Sequence, residues 1–578
     1  MSMRSIDFKK RVAPKSTELK RVHLLNWQSS GQSSGQSSGQ PSGQSSGRSG
    51  FLLPLLIRSI QSKLASLRSC HCSTVGLIGG LAIVLVLIPT QAWAQTSSSA
   101  GVIGIFDAAF SGIVKLMSDL LFFSIGGFPL IVLWLFIGAI FFTIRLGFIN
   151  FRAFKHAIDI VTGKYDDPND EGEVSHFQAL ATALSGTVGL GNIAGVAVAI
   201  EVGGPGAMFW LTLTGLFGMT SKFVECTLAQ KYRLERPDGT VAGGPMYTLS
   251  RGLPGLGLGS LGRGLAVLFC VLCILGSLGG ANMFQSNQAY SAISGLFPGL
   301  PNWLFGLLLA GGTAVVIIGG IQRIGAIAGL LVPAMAVVYI LGCLWIILTN
   351  LTEVPNAVTT VITEAFAPRA VEGGIIGTIV AGIRRATFSN EAGVGSAAIA
   401  HSAARTDEPV REGIVSLLEP FIDTVVICNM TAIVIVLTQV YQKETTGLSG
   451  VQLTLDAFRS INSWFPAVLV IAILLFAFST IISWSYYGEM AWGYLFGFNS
   501  VIVYKILYVV CVFIGAVVGL SAVIDFSDLS LLSMSIPNLI GSYLLSGQVA
   551  ADLRDYMDRL RSGRMLTYAQ KIVTQQGE

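Results

Sequence analysis

The stretch SGTVGLGNIAGVAVAIEVGGPG, Ser185–Gly206, decides the fold. It is apolar enough to lie in a bilayer, yet Gly186, Gly189, Gly191 and Gly195 crowd into it around Asn192. Glycine disfavours helix by about 1 kcal/mol per residue relative to alanine, so a helix through this run is free to unwind. The segment GLGNIAG has the spacing G-x-G-x-x-x-G, which departs from a dinucleotide fingerprint, and no βαβ pattern surrounds it. Gly191 and Gly195 also make a GxxxG pair, a common device for packing membrane helices.

A second cluster favours unwinding over packing. Five apolar spans later, RRATFSNEAGVGSAAIAHSA carries Ser389, Asn390, Glu391, Gly393 and Gly395 at matching depth. Unwound backbone at mid-membrane is tolerated only where protein, ions or a bound molecule satisfy its amides and carbonyls. Two such interruptions in corresponding halves point to a transporter built from an inverted repeat.

Composition agrees. Only 12% of the 578 residues are charged and 52% are hydrophobic, with a mean hydropathy of +0.68. Soluble chains carry about 25% charged residues, so the chain belongs in a membrane. A net charge of +4 is too small and too scattered for a nucleic-acid surface. Eight cysteines make no disulfide framework in a chain of this length. Cys226, Cys270, Cys273, Cys343, Cys428 and Cys511 sit in apolar runs and read as small packing residues, and Cys70-His71-Cys72 offers too few ligands for a metal.

Residues 1–70 form a leader whose Gly/Ser/Gln-rich tract has nothing to bury and is expected to be disordered. Residues 71–94 follow the basic flank of Arg58, Lys63 and Arg68 and end in Ala92-Trp93-Ala94, the form of a signal peptide cleaved after Ala94; an uncleaved signal anchor is the alternative. Residues 95–122, with Asp107, Lys115 and Asp119 among apolar neighbours, suggest an amphipathic interfacial helix. Beyond them lie about eleven candidate transmembrane helices: 123–147, 177–202, 206–230, 262–296, 302–321, 324–350, 373–402, 411–440, 465–496, 500–520 and 528–546. The first, within 123–150, is an extra helix. The others divide into repeats of five spans at 177–350 and 373–546, followed by a tail at 547–578. An odd number of spans per repeat forces the two units into opposite orientations.

Basic residues test the count. Arg145, Arg152, Lys155 and Lys164, then Lys231, Arg233, Arg236, Arg251 and Arg263, then Arg323, Arg405, Arg411, Arg554, Arg559, Arg561 and Arg564 fall in one set of alternate loops. The other set holds Arg369, Lys443 and Arg459. This bias predicts a mature N-terminus outside and a cytoplasmic C-terminus, in agreement with a cleaved signal.

At GLGNIAGVAVAIEVGGPGA, ATFSNEAGVGSAAIAHSAARTDEPVREG and FSTIISWSYYGE, the chain closely resembles the sodium:alanine (alanine or glycine:cation) symporter family, from about Ile144 through the tenth span. The resemblance implies an all-α polytopic membrane protein of LeuT-type fold, a five-plus-five inverted repeat around a central amino-acid site. It also implies sodium-coupled import of alanine or glycine across a bacterial inner (cell) membrane, with Na+ as coupling ion, no cofactor, no enzymatic activity and no obligate protein partner.

A zwitterionic amino acid needs donors for its carboxylate, acceptors for its ammonium and a fitted apolar wall. Amides freed around Gly189, Leu190 and Gly191 are candidate carboxylate donors. Gln285 is a further donor, tilted ahead of Gln288 by the resemblance, with interhelical bonding as the alternative for either. Carbonyls of the second break, beside Ser389, and the Thr480 hydroxyl would receive the ammonium. Phe388 and Trp484 would wall the side-chain pocket, Trp484 sharing a helical face with Thr480; packing or interface anchoring is the alternative for such rings. In LeuT-type carriers an ion lies between the first broken helix and the third helix of the second repeat. Here that implies carbonyls near Gly186, Thr187 and Val188 with hydroxyls of Ser479, Thr480 or Ser483, which leaves Thr480 claimed by both ion and substrate.

Intramembrane charges complete the set. Glu391 lies inside the second break beside Asn390, as Asn192 lies in the middle of the first, and would cap a half-helix or tie the repeats together. Arg384 and Arg385 suit an outer gate or simple snorkelling. Asp423, and Lys222 with Glu225, suit structural pairs. Proton coupling through Glu391 is an open alternative to sodium. A channel would call for continuous polar lining, and no Walker A or HExxH sequence marks an intramembrane enzyme.

Overall fold

The computed structural model describes residues 118–119, 121–367, 374–442, 450–517 and 529–577. The leader, the signal-like segment and nearly all of the expected interfacial helix lie outside these residues, as do Arg369 and Lys443.

Helix dominates the described residues. Two short antiparallel hairpins, Ser124–Ile125 with Phe128–Pro129 and Leu234–Glu235 with Val241–Ala242, are the paired strands among them. The principal helices are α1 (Leu130–Arg145), α2 (His176–Thr187), α3 (Ala194–Gly203), α4 (Ala207–Lys231), α5 (Gly259–Leu278), α6 (Phe284–Ser294), α7 (Asn302–Ile317), α8 (Gly320–Thr349), α9 (Gly374–Asn390), α10 (Ala397–His401), α11 (Pro409–Ser416), α12 (Asn429–Thr438), α13 (Phe465–Phe496), α14 (Val501–Val517) and α15 (Ser535–Arg561).

Among the described residues six continuous helical stretches are long and apolar enough to cross a membrane: Gly259–Ser294, Gly320–Thr349, Pro409–Thr438, Phe465–Phe496, Phe498–Val517 and Leu529–Arg561. The pair α2 and α3, bent by 56°, makes a seventh when taken as one span. Among the described residues, six or seven of the eleven expected spans are thus met by helices of spanning length and composition. The other four expected spans coincide with helices that are short (α1 and α7), carry charge (α4, with Lys222, Glu225 and Lys231) or are interrupted (α9 with α10). The final helix does not end at 546; α15 runs on to Arg561, burying Val549, Leu553, Tyr556 and Met557.

Helix α13 is buried through its middle. Ser479–Gly488 is buried without interruption, and Trp484 and Tyr487 are among the largest fully buried side chains. Helix α8 has the opposite character, with Leu330, Val337, Leu341, Trp345 and Leu348 exposed. So much exposed apolar surface would be a liability in water and is the expected belt in lipid.

Candidate functional site

Both interruptions form, and the chain makes them by different means. Helix α2 starts on a capping box: the Ser175 side chain accepts from the Gln178 N–H and the Gln178 side chain accepts from the Ser175 N–H. It stops at Thr187, a single 3-10 turn spans Leu190–Asn192, and α3 restarts at Ala194. None of Gly186, Gly189, Gly191 or Gly195 has a positive φ. Close approach is what requires glycine here. A Cβ on Gly189 would lie 2.6 Å from the Thr480 Oγ1, and one on Gly191 would lie 3.4 Å from the Ser389 Cα across the gap.

In the second break the backbone itself is left-handed. Glu391, Gly393 and Gly395 have φ of +54°, +87° and +90°. Glycine adopts this region at no steric cost, and a glutamate there is held by its surroundings.

The two breaks face each other around a cavity of about 20 Å³. Gly186, Thr187, Gly189 and Gly191 line it from the first break, and Phe388 and Glu391 from the second. Thr480 and Trp484 enter from α13, where spacing by one helical turn places them together. Gln285 enters from α6. Sequence reasoning missed Gly280, Ala281 and Leu531, which also line it. The first two sit in a π turn, Gly279–Met283, that joins α5 to α6. The Gly279-Gly280 pair just before Gln285 was the available signal.

Polar side chains fasten the breaks. The Gly189 N–H donates to the Asn192 Oδ1 at 2.9 Å, and the Leu190 N–H to the Gln285 Oε1 at 3.4 Å. In this structure the Gly189 and Leu190 amides thus have side-chain partners, as a helix end buried in protein must. Asn192 in turn donates its Nδ2 to the Asp423 Oδ1 at 2.6 Å. Ser389 donates to the Asp423 Oδ2 at 2.9 Å. Its hydroxyl is therefore turned to Asp423, and Ser389 does not line the cavity. Asp423, expected to make a structural pair, bridges the two breaks.

Glu391 accepts the Trp484 indole N–H at 3.2 Å and a hydrogen bond from Ser396, tying the second break to α13. Asn390 donates to the Thr424 Oγ1 at 2.9 Å and accepts the Ala392 N–H at 3.0 Å, capping the turn. Arg385 lies over the Phe388 ring at 5.9 Å and Arg384 over Phe122 at 4.6 Å, so both arginines stack on aromatic faces.

Hydroxyls near the first break separate into two kinds. Ser479 donates to the Phe476 carbonyl at 2.9 Å, and Ser185 donates to the Ser479 carbonyl at 2.7 Å. The Thr480 and Ser483 hydroxyl oxygens are buried and, among the described residues, have no hydrogen-bond partner. A buried hydroxyl left unpaired costs about 1–3 kcal/mol. Two of them one turn apart on α13 present oxygen donors of the kind that suits a hard cation. Val188 closes α2, its N–H donating to the Leu184 carbonyl at 2.7 Å.

An all-helical chain with several apolar spans and two interrupted helices meeting at a small buried cavity defines a multi-pass membrane transporter. The profile of the sodium:alanine symporter family matches residues 107–570, and the chain belongs to that family. It is 42% identical to the sodium/alanine symporter AgcS of Methanococcus maripaludis, over 72% of this chain and 92% of that one. It is 36% identical to a protein of Bacillus subtilis named as a probable sodium/glutamine symporter, GlnT, over 78% of this chain and 92% of the relative. The amino-acid carrier protein AlsT of Bacillus subtilis is 37% identical over 73% of this chain and 88% of its own length. The protein is a cation-coupled amino-acid transporter.

Proposed function

We propose that this protein imports small neutral amino acids, alanine and glycine, with Na+ by alternating access. The reading rests above all on the cavity between the two breaks, where the Thr480 hydroxyl is buried without a partner beside two aromatic walls. Its place would be a bacterial inner membrane, with the mature N-terminus outside, the basic loops and C-terminus in the cytoplasm, and two inverted units at 177–350 and 373–546.

The substrate carboxylate would be received at Gly189, Leu190 and Gly191. The Leu190 N–H bond to Gln285 is at the long limit for a hydrogen bond, so a carboxylate would displace it, and Gln285 would turn its amide to donate as well. Second-break carbonyls would take the ammonium. Phe388 and Trp484 leave room for a hydrogen or a methyl. Relatives bear the names of alanine and glutamine symporters, so the walls of this cavity, rather than membership of the family, would set substrate size. Thr480 and Ser483 would hold Na+ with carbonyls of Gly186, Thr187 and Val188, leaving Ser479 to brace α2 against α13. Ion binding beside Gly189 would then shape the substrate site, which is how coupling arises from contact.

Labelled alanine uptake into proteoliposomes, with and without an inward Na+ gradient, tests the reading. Uptake indifferent to sodium removes the coupling, and failure to take up any small neutral amino acid removes the substrate.

A further inference from the structure

On the side of the molecule that carries Lys164, Arg405, Arg411 and Arg559, a row of buried side chains alternates in charge. Asp166 stands at its rim, its side chain 37% exposed, with its Oδ1 3.8 Å from the His176 Nε2. The His176 Nδ1 meets the Glu412 Oε2 in a hydrogen bond. The other Glu412 oxygen bonds the His401 Nδ1 at 2.5 Å, and the His401 Nε2 lies 3.7 Å from the Glu419 Oε2. Glu419 pairs with the Lys222 Nζ at 2.9 Å, and Lys222 lies 3.9 Å from Glu225. Glu225 accepts from Asn538, whose amide also donates to the Gly393 carbonyl in the second break. From His176 to Glu225 every member is buried to within 1%.

Hydrogen-bond chemistry fixes the protons. An ionised carboxylate only accepts, so each Nδ1 facing Glu412 carries a proton. Were each imidazole neutral, its bare Nε2 lone pair would face a second carboxylate, Glu419 for His401 and Asp166 for His176. Those two nitrogens, with the Glu419 Oε2 and the Asp166 Oδ1, are buried and without a hydrogen-bond partner among the described residues. A proton on each Nε2 turns the repulsion into attraction. Charge counting points the same way: among the fully buried members three carboxylates, Glu225, Glu412 and Glu419, face one lysine, Lys222, and charged imidazoles lower the net buried charge, which is costly. Among the described residues the other titratable or charged groups around the row are Arg411, Arg405 and Arg233 toward Asp166 and Glu412, Tyr487 toward Glu419, and Cys226 and Glu391 toward Lys222. Glu391 has its own donors in Trp484 and Ser396. Among the described residues no three His, Cys, Asp or Glu converge as a metal site would.

We propose that His176 and His401, bridged by Glu412, are a proton-binding latch on the basic face. Protons on the two imidazoles hold the start of the first broken helix, where His176 is the first residue of α2, against α10 and α11. When α2 swings away to open the cavity on this side, His176 parts from Glu412 and Asp166 and reaches water. The proton leaves to the aqueous phase on that side. Acid there keeps the latch shut, and alkali lets it open. This rests on the basic face being cytoplasmic, as proposed above.

Two measurements test it. In proteoliposomes selected for the inward orientation, labelled alanine uptake at fixed outer pH is followed while lumenal pH is varied. Wild type is expected to slow about fivefold or more between about pH 8 and about pH 6, and both H176Q and H401Q to vary less than about twofold. A flat wild-type profile, or variants that retain its slope, overturns the latch. The second measurement needs no substrate and so separates failure of the latch from failure of the transport reading. Hydrogen exchange in residues 176–187 and 397–416 of the full chain in nanodiscs, corrected for intrinsic rate, should quicken with rising pH in wild type and be pH-independent in H176Q. Equal pH dependence in the two proteins overturns the proposal even if alanine is never transported.

Discussion

The indole N–H of Trp484 donates to the Oε1 of Glu391 at 3.2 Å, joining the middle of α13 to the one non-glycine residue of the second break held at positive φ. The bond thus ties a cavity wall to an unwound turn. Removing the acceptor leaves a buried N–H unpaired, at a cost of about 1–3 kcal/mol. Glu391→Gln retains a carbonyl acceptor, whereas Glu391→Ala does not. Alanine uptake is expected to fall about tenfold or more in Glu391→Ala and several-fold less in Glu391→Gln. Equal losses would mean that the charge of Glu391, rather than its bond to Trp484, is what matters.

The size of the wall is a separate matter. Trp484→Leu opens the cavity beside Phe388 and is expected to admit larger neutral amino acids as competitors of alanine uptake. Competition by valine or leucine measures this. A variant that transports alanine with unchanged selectivity removes Trp484 from the substrate wall.

Two glycines in the first break should differ sharply. A methyl on Gly189 would press on the Thr480 Oγ1 at 2.6 Å, while one on Gly195 would meet its nearest neighbour, the Arg385 Cδ, at 3.9 Å. Gly189→Ala is expected to cost uptake about tenfold or more, and Gly195→Ala to stay within about twofold, because overpacking a tight contact costs about 1–3 kcal/mol. If both are tolerated, the close approach of α13 to the break is not needed for transport.

How much of this was legible in sequence follows from where each signal resides. The breaks were legible because helix propensity is local: glycines at Gly189–Gly195 and Gly393–Gly395 announce themselves without a partner. Thr480 and Trp484 were legible as a pair because one helical turn separates them. Their separate uses of glycine were not, since φ at Gly393 and the approach of Thr480 to Gly189 depend on tertiary placement. Lys222 and Glu225 showed as intramembrane charges, but the row from Asp166 to Glu225 did not. Its members come from a loop and from helices far apart in the chain, and a histidine beside a glutamate in space leaves no periodic trace.

Asp423 carries the bond between the breaks. It receives the Asn192 Nδ2 at 2.6 Å, Ser389 at 2.9 Å and Thr424 at 2.8 Å, all neutral donors. Asp423→Ala removes the carboxylate that joins the breaks, while Asn192 keeps its bond to the backbone carbonyl of residue 423, and it is expected to lower both uptake and thermal stability, by about 1–3 kcal/mol for each donor left unpaired.

Thr480 and Ser483 predict the reverse pattern. Their hydroxyls are buried without a partner, so Thr480→Val and Ser483→Ala each remove a desolvated polar atom. Stability should be unchanged or rise by up to about 1 kcal/mol in the absence of sodium. If these oxygens hold Na+, the sodium concentration for half-maximal uptake should rise about fivefold or more, and stabilisation of the protein by added NaCl over KCl should shrink, since an ion that binds only the folded state adds to its stability. Thermal melts in the two salts separate the cases. A variant that loses stability and keeps its sodium dependence would show that the hydroxyl serves the packing of α13. Loss of sodium dependence without loss of stability places it on the ion.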